Sequence, residues 1–260
     1  MTQTRRTFLA TAAAGGAITV LPFAARAEAH MSDSFMEGAV TMHSIHHASF
    51  VMETPQGVIY VDPVGAPADY EGMPEPALIL VTHEHGDHYN AETLTALKAE
   101  GTALVTNPAV HAMLPDALKE GAQTLANGES MEWEGVTIDA IPAHNTTEER
   151  MNFHPEGRDN GYVLTMEGFK TYISGDTEPT PEMLALTDVD LCFLCMNLPF
   201  TQTAEQAAEA VKQFKPTYVY PYHYRGKDGG SQDPEAFAVM VGDASMVKMA
   251  GWYKDGELDG

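Results

Sequence analysis

Apolar and polar positions along this chain form short extended runs first, then extended runs alternating with helical spacing, and that order occurs twice. Thr41-Met42-His43-Ser44-Ile45, Ser49-Phe50-Val51-Met52-Glu53 and Val58-Ile59-Tyr60-Val61 read as three strands, with Pro55-Gln56-Gly57 as a hairpin turn signal. Asp62-Pro63 closes the third. Ala77-Leu78-Ile79-Leu80-Val81 is a wholly apolar strand, and residues 91–98, with leucines at 94 and 97, carry helical spacing. A strand over 103–106 and a short helix over 108–114 follow. Strands then return at 131–134, 136–141, 161–166 and 170–174, with two more at 188–196 and 217–220. Between those two lies the best helix, 203–214. It opens on the near capping box Thr203-Ala204-Glu205-Gln206 and buries alanines, Val211 and Phe214. Residues 234–241 form the last helix. The repeated order predicts an α/β fold of two mixed sheets packed together with helices on the outer faces, an αββα sandwich.

The N-terminus follows a different pattern. Thr4-Arg5-Arg6-Thr7-Phe8-Leu9 is a twin-arginine sequence, followed by a modest apolar stretch and the small-x-small site Ala25-Arg26-Ala27, with Ala27-Glu28-Ala29 as its neighbour. That succession reads as an export signal cleaved after Ala27 or Ala29. The apolar stretch is short for a span and is broken by Pro22, so no stable membrane insertion of the mature chain is expected. The expected organisation is a twin-arginine signal over 1–27, a linker over 28–37 and one domain over 38–260. The export machinery is then a partner and the periplasm the destination.

Loss of Arg5, Arg6 and Arg26, with no acid, takes the formal charge from −23 to −26. Such acidity argues against nucleic acid or an anionic membrane as partner, because both need basic patches. A small-molecule substrate fits better.

The candidate chemistry is concentrated in Thr82-His83-Glu84-His85-Gly86-Asp87-His88, directly after the apolar strand at 77–81. Imidazole and carboxylate suit zinc, manganese or iron. Residues two apart in an extended segment point the same way, so His83 and His85 can grip one ion. Asp87 and His88, past the bend at Gly86, can turn towards a second. Three later strand ends supply the same residue types: His144, Asp176 and His223. Cys192 and Cys195 have C-x-x-C spacing but lie in an apolar run, where buried structural thiols are expected; residues three apart on a strand face opposite sides.

These residues together resemble the metallo-β-lactamase-fold hydrolases. His47-Ala48-Ser49-Phe50, Tyr60-Val61-Asp62-Pro63, Phe153-His154-Pro155 with Asn160-Gly161-Tyr162-Val163, Ser174-Gly175-Asp176-Thr177 and Met196-Asn197-Leu198-Pro199-Phe200-Thr201 resemble the branch of ascorbate-6-phosphate lactonase-like proteins. The resemblance implies one ion on His83, His85 and His144, a second on Asp87, His88 and His223, and Asp176 between them. One or two divalent ions are implied, zinc first, with manganese or iron as alternatives. Metal-bound hydroxide would then attack a small ester, lactone or phosphoester, with Asp87, Asp176 and His47 as catalytic candidates. His47 is placed near the metals as an orienting or proton-transfer group. Asp62 is expected to hold a ligand histidine. His154 and Arg158 belong to a loop over 148–160 that covers the site and binds an anionic substrate group, and Tyr222 is expected to line the pocket. The alternatives are a phosphodiesterase or phospholipase-like hydrolase of the same fold and a non-catalytic periplasmic metal- or ligand-binding protein.

Overall fold

Both halves of the chain build the same kind of sheet, antiparallel where strands follow one another directly and parallel where a helix intervenes. The structure is a computed structural model that describes residues 32–253. The expected export signal and its cleavage site lie outside the described residues. The first sheet runs in chain order through β1 (Ser32–Phe35), β2 (Val40–His46), β3 (Ser49–Thr54), β4 (Gly57–Val61), β5 (Leu78–Val81), β6 (Ala103–Thr106) and β7 (Gln123–Thr124). It is antiparallel from β1 to β4 and parallel from β4 to β7. The second sheet comprises β8 (Ser130–Trp133), β9 (Val136–Ala143), β10 (Asp159–Met166), β11 (Phe169–Ile173), β12 (Leu191–Cys195), β13 (Tyr218–Tyr222) and β14 (Met246–Val247). It is antiparallel from β8 to β11 and parallel from β11 to β14. The linker expected over 28–37 is, where described, part of the domain: β1 pairs with β2 from Ser32↔His43 to Phe35↔Val40.

Alternation along the strands sends one set of side chains between the sheets and the other under helices. Phe50, Met52, Ile59 and Leu80 meet Ile138, Leu164, Phe193 and Tyr222 in the central core, closed by Trp252. Phe50 and Phe193 stack across the sheets with ring centroids 4.1 Å apart. On the outer face of the first sheet, Val51, Tyr60, Ile79 and Leu104 lie under α1 (Ala91–Leu97), α2 (Pro108–Met113) and α3 (Asp116–Lys119). Val163, Tyr172, Leu194 and Val219 lie under α4 (Pro181–Leu184), α5 (Ala204–Phe214) and α6 (Pro234–Val241). The result is an αββα sandwich. On β12, Cys195 faces the central core and Cys192 the helices; both thiols are buried and free.

Parallel strands place the loops after them at one end of each sheet. β4, β5, β11 and β13 thereby deliver Asp62, residues 82–88, Asp176 and His223 to one region. Gly175, with φ +60°, lets two of these loops cross: a Cβ there would lie 2.7 Å from Asn160 O and 3.2 Å from Thr82 Cβ. Among the described residues no helix is long and apolar enough to cross a membrane.

Candidate metal centre

Thr82, the residue after β5, is held twice by Asp62: its N–H and its Oγ1–H each donate to that carboxylate at 2.7 Å. Asp62 is fully buried and has φ +44°, a left-handed conformation that aims its side chain back across the strand end. The chain then turns tightly, with His88 N–H donating to His85 O at 2.9 Å, so 83–88 forms a compact hook.

Potential ligand atoms of His83, His85 and His154 lie within 4.8 Å of one another, as do those of His83, His88 and Asp176, and those of His47, Asp87 and His223. Asp176 joins these groups. One carboxylate oxygen is 3.3 Å from His88 Nε2, and the other is 3.5 Å from His154 Nε2 and 3.4 Å from His223 Nε2. Asp87 Oδ2 is 3.3 Å from His223 Nε2.

Several rings are fixed from behind through Nδ1. His88 Nδ1 meets Asp62 Oδ2 at 2.7 Å, His154 Nδ1 meets Asp159 Oδ2 at 3.0 Å, and His83 Nδ1 meets Thr82 Oγ1 at 2.9 Å. The Asn197 amide lies 2.6 Å from His223 Nδ1 and 2.7 Å from Thr201 Oγ1 at its other end. The amide nitrogen faces the ring and the oxygen faces Thr201; turned over, the amide accepts the Nδ1 proton and leaves His223 Nε2 bare. Each ring then turns a bare Nε2 inward. The Nε2 atoms of His83, His88, His154 and His223, and Asp176 Oδ1, are buried without a hydrogen-bond partner. An unpaired buried polar atom typically costs about 1–3 kcal/mol. Five that converge fit a divalent cation, and carboxylate-backed imidazole is the usual support of a metal ligand.

The electrostatics agree. Burial opposes charge on Asp176, but His223 and His88 hold its carboxyl well below the usual range. Asp87 is likewise lowered against burial by His223 and His47. Burial, with His88 adding to it, keeps His83 neutral; burial and His154 lower His85. At His88 burial is outweighed by Asp176 and Asp62, which favour positive charge at that ring, a place that a cation on Nε2 would take instead of a proton. Burial and the neighbouring His223 lower His47 to about 4.

The sequence profile of the β-lactamase superfamily domain matches residues 41–223. A UPF0173 metal-dependent hydrolase of Thermococcus onnurineus is 32% identical over 230 residues, covering 84% of this chain and 98% of that protein. The chain belongs to the metallo-β-lactamase superfamily and its UPF0173 metal-dependent hydrolases. A UPF0173 hydrolase of Pyrococcus abyssi is 30% identical, covering 80% of this chain and 95% of that protein. Among solved structures, one described as a metal-dependent hydrolase from Parabacteroides distasonis superposes with a TM-score of 0.76 at 36% identity. It covers 85% of this chain and 99% of its own. The Thermococcus and Pyrococcus relatives carry the UPF0173 name, and none of the three carries that of the lactonase-like branch.

Within this UPF0173 hydrolase the structure groups His154, not His144, with His83 and His85. His144, expected beside His83 and His85, belongs to none of the three groups; its Nδ1 lies 3.2 Å from Asn145 O, and its backbone ties to Thr177 and Glu178. His154, expected over the site, stands there instead. The loop after β9 folds back, with Asn145 N–H donating to His154 O at 2.8 Å, and returns His154 to the same sheet end. Arg158 is not an open anion receptor: its guanidinium pairs with Asp159 at 2.7 Å and Glu84 at 3.0 Å and donates to Phe153 O. Tyr222 is fully buried in the central core rather than lining a pocket.

The sequence reading missed Asp159, Asn197, Glu178 and Tyr253. Glu178 accepts from Thr146 N, Thr147 N, Thr147 Oγ1 and Arg150 Nη1 at 2.6–2.7 Å and so pins the loop that carries His154. Asp159, five residues after His154, was the one with a readable signal, a carboxylate close to a loop histidine.

Proposed function

We propose that this metal-dependent hydrolase acts in the periplasm on a small ester, lactone or phosphoester, after export by the twin-arginine route. The supporting observation is the convergence of four bare imidazole nitrogens and one bare carboxylate oxygen in a buried site. His83, His85 and His154 would hold one ion and Asp87, His88 and His223 a second, with Asp176 shared. Zinc suits this histidine-rich set best, with manganese and iron as alternatives. Bound there, a divalent ion supplies Lewis acidity and lowers the pKa of water towards neutrality.

The chain's own residues do the rest. Asp62, Asp159 and Asn197 orient the rings, and their burial excludes bulk water from behind them. Access is from the side of Asp87, whose side chain is 48% exposed, and of half-buried His85. Arg150 and Arg158 are committed to Glu178 and to Asp159 with Glu84. The loop over 145–160 therefore offers no uncommitted guanidinium for an anionic substrate. This favours a neutral or weakly anionic ester or lactone over a phosphodiester.

The test is a comparison of chelator-stripped enzyme with enzyme given zinc, manganese or iron, on a nitrophenyl ester, a small lactone and a nitrophenyl phosphodiester. Metal-dependent ester or lactone turnover is expected. Turnover of the phosphodiester alone would replace the substrate class, and tight metal binding without turnover of any would favour a binding protein. Fractionation of cells expressing wild type and Arg5→Lys/Arg6→Lys tests the periplasmic destination.

A further inference from the structure

The third group, His47 with Asp87 and His223, leaves open whether His47 is itself a ligand. His47 sits in the turn between β2 and β3 with φ +54°. The C-terminal segment holds it there: its N–H donates to Trp252 O at 3.0 Å, and its Nδ1 lies 2.8 Å from Tyr253 Oη. Its Nε2 lies 3.4 Å from Asp87 Oδ2, and its ring packs on His223 with centroids 3.8 Å apart.

The phenol oxygen of Tyr253 already has a donor. Arg225 N–H donates to it at 3.2 Å. A phenol accepts about two hydrogen bonds and donates one. If His47 Nδ1 also carried a proton, both groups would donate to this oxygen and the phenol proton would lack an acceptor among the described residues. The arrangement is satisfied when Tyr253 O–H donates to a bare His47 Nδ1. A neutral imidazole then carries its proton on Nε2 and presents it to Asp87.

We propose that Tyr253 is a positioning residue that locks His47 as the Nε2–H tautomer, so that His47 is a hydrogen-bond donor to Asp87 and not a metal ligand. The C-terminal segment thereby separates two roles among residues of similar geometry: His223 offers a bare nitrogen to the ion, and His47 offers a proton beside it. The inference rests on reading Asp87 and His223 as ligands. The tautomer itself is a property of the metal-free chain and can fail independently of any hydrolase activity.

The experiment is long-range proton–nitrogen correlation on metal-free, histidine-labelled full chain, with His47 assigned by His47→Asn, since Asn tolerates positive φ. The expected wild-type spectrum has a protonated Nε2 and a bare Nδ1, and Tyr253→Phe mixes the two tautomers. His47→Asn should bind as many metal ions as wild type. A protonated Nδ1 in wild type, an unchanged tautomer in Tyr253→Phe, or loss of one equivalent in His47→Asn would each overturn the proposal. Should either variant fail to fold, a backbone-assigned wild-type spectrum still decides the tautomer.

Discussion

Asp62 Oδ2 and His88 Nδ1 are 2.7 Å apart and both fully buried, and the same carboxylate holds the backbone and hydroxyl of Thr82. One side chain at the end of β4 therefore fixes both the ligand hook and the tautomer of a ring within it. Asp62→Asn keeps the shape but removes the charge that supports the ring. The expected result is a metal affinity roughly 10–100-fold weaker, measured by chelator competition.

Arg158 joins the hook to the His154 loop through Glu84 and Asp159. Arg158→Gln should weaken metal binding by roughly 10-fold through a looser His154. It should raise KM for anionic and neutral substrates alike. A selective rise for the anionic ones would identify Arg158 as the anion receptor expected from sequence.

Much of the architecture was legible because strand and helix periods differ so plainly. The apolar run over 77–81, the Leu94 and Leu97 spacing and the capping box at Thr203 each describe a local preference that packing reinforces. The short strands β1, β7 and β14 carry no such period and exist through their neighbours. Residues 83–88 were readable as a site because the ligands are consecutive. The choice between His144 and His154 was not, because it depends on how a loop of irregular backbone folds back, and the bonds that decide it, Asn145 to His154 and Thr146, Thr147 and Arg150 to Glu178, follow no local sequence period.

Glu178 is that loop's anchor. Burial opposes its ionisation, but donors from Thr147, Thr146 and Gln206 prevail and its pKa is lowered. A carboxyl whose folded pKa lies below its unfolded value, about 4.3, stabilises above that value and loses the contribution as pH falls through the folded pKa. Glu178→Gln should cost about 3 kcal/mol at pH 7, and the difference from wild type should shrink below about pH 4, as read by urea denaturation at both pH values.

Phe193 stacks on Phe50 between the sheets and is fully buried. Phe193→Ala should lower stability by about 3–5 kcal/mol through lost burial and a residual cavity. An unchanged denaturation midpoint would mean that the two sheets do not share one core.

Elemental analysis of the purified protein decides whether His154 completes a metal centre with His83 and His85. Wild type, His154→Ala and His144→Ala are compared after identical metal loading and desalting. His144→Ala should retain the wild-type metal content and His154→Ala should lose at least one equivalent. Loss in His144→Ala with full retention in His154→Ala would return His144 to the ligand set in place of His154.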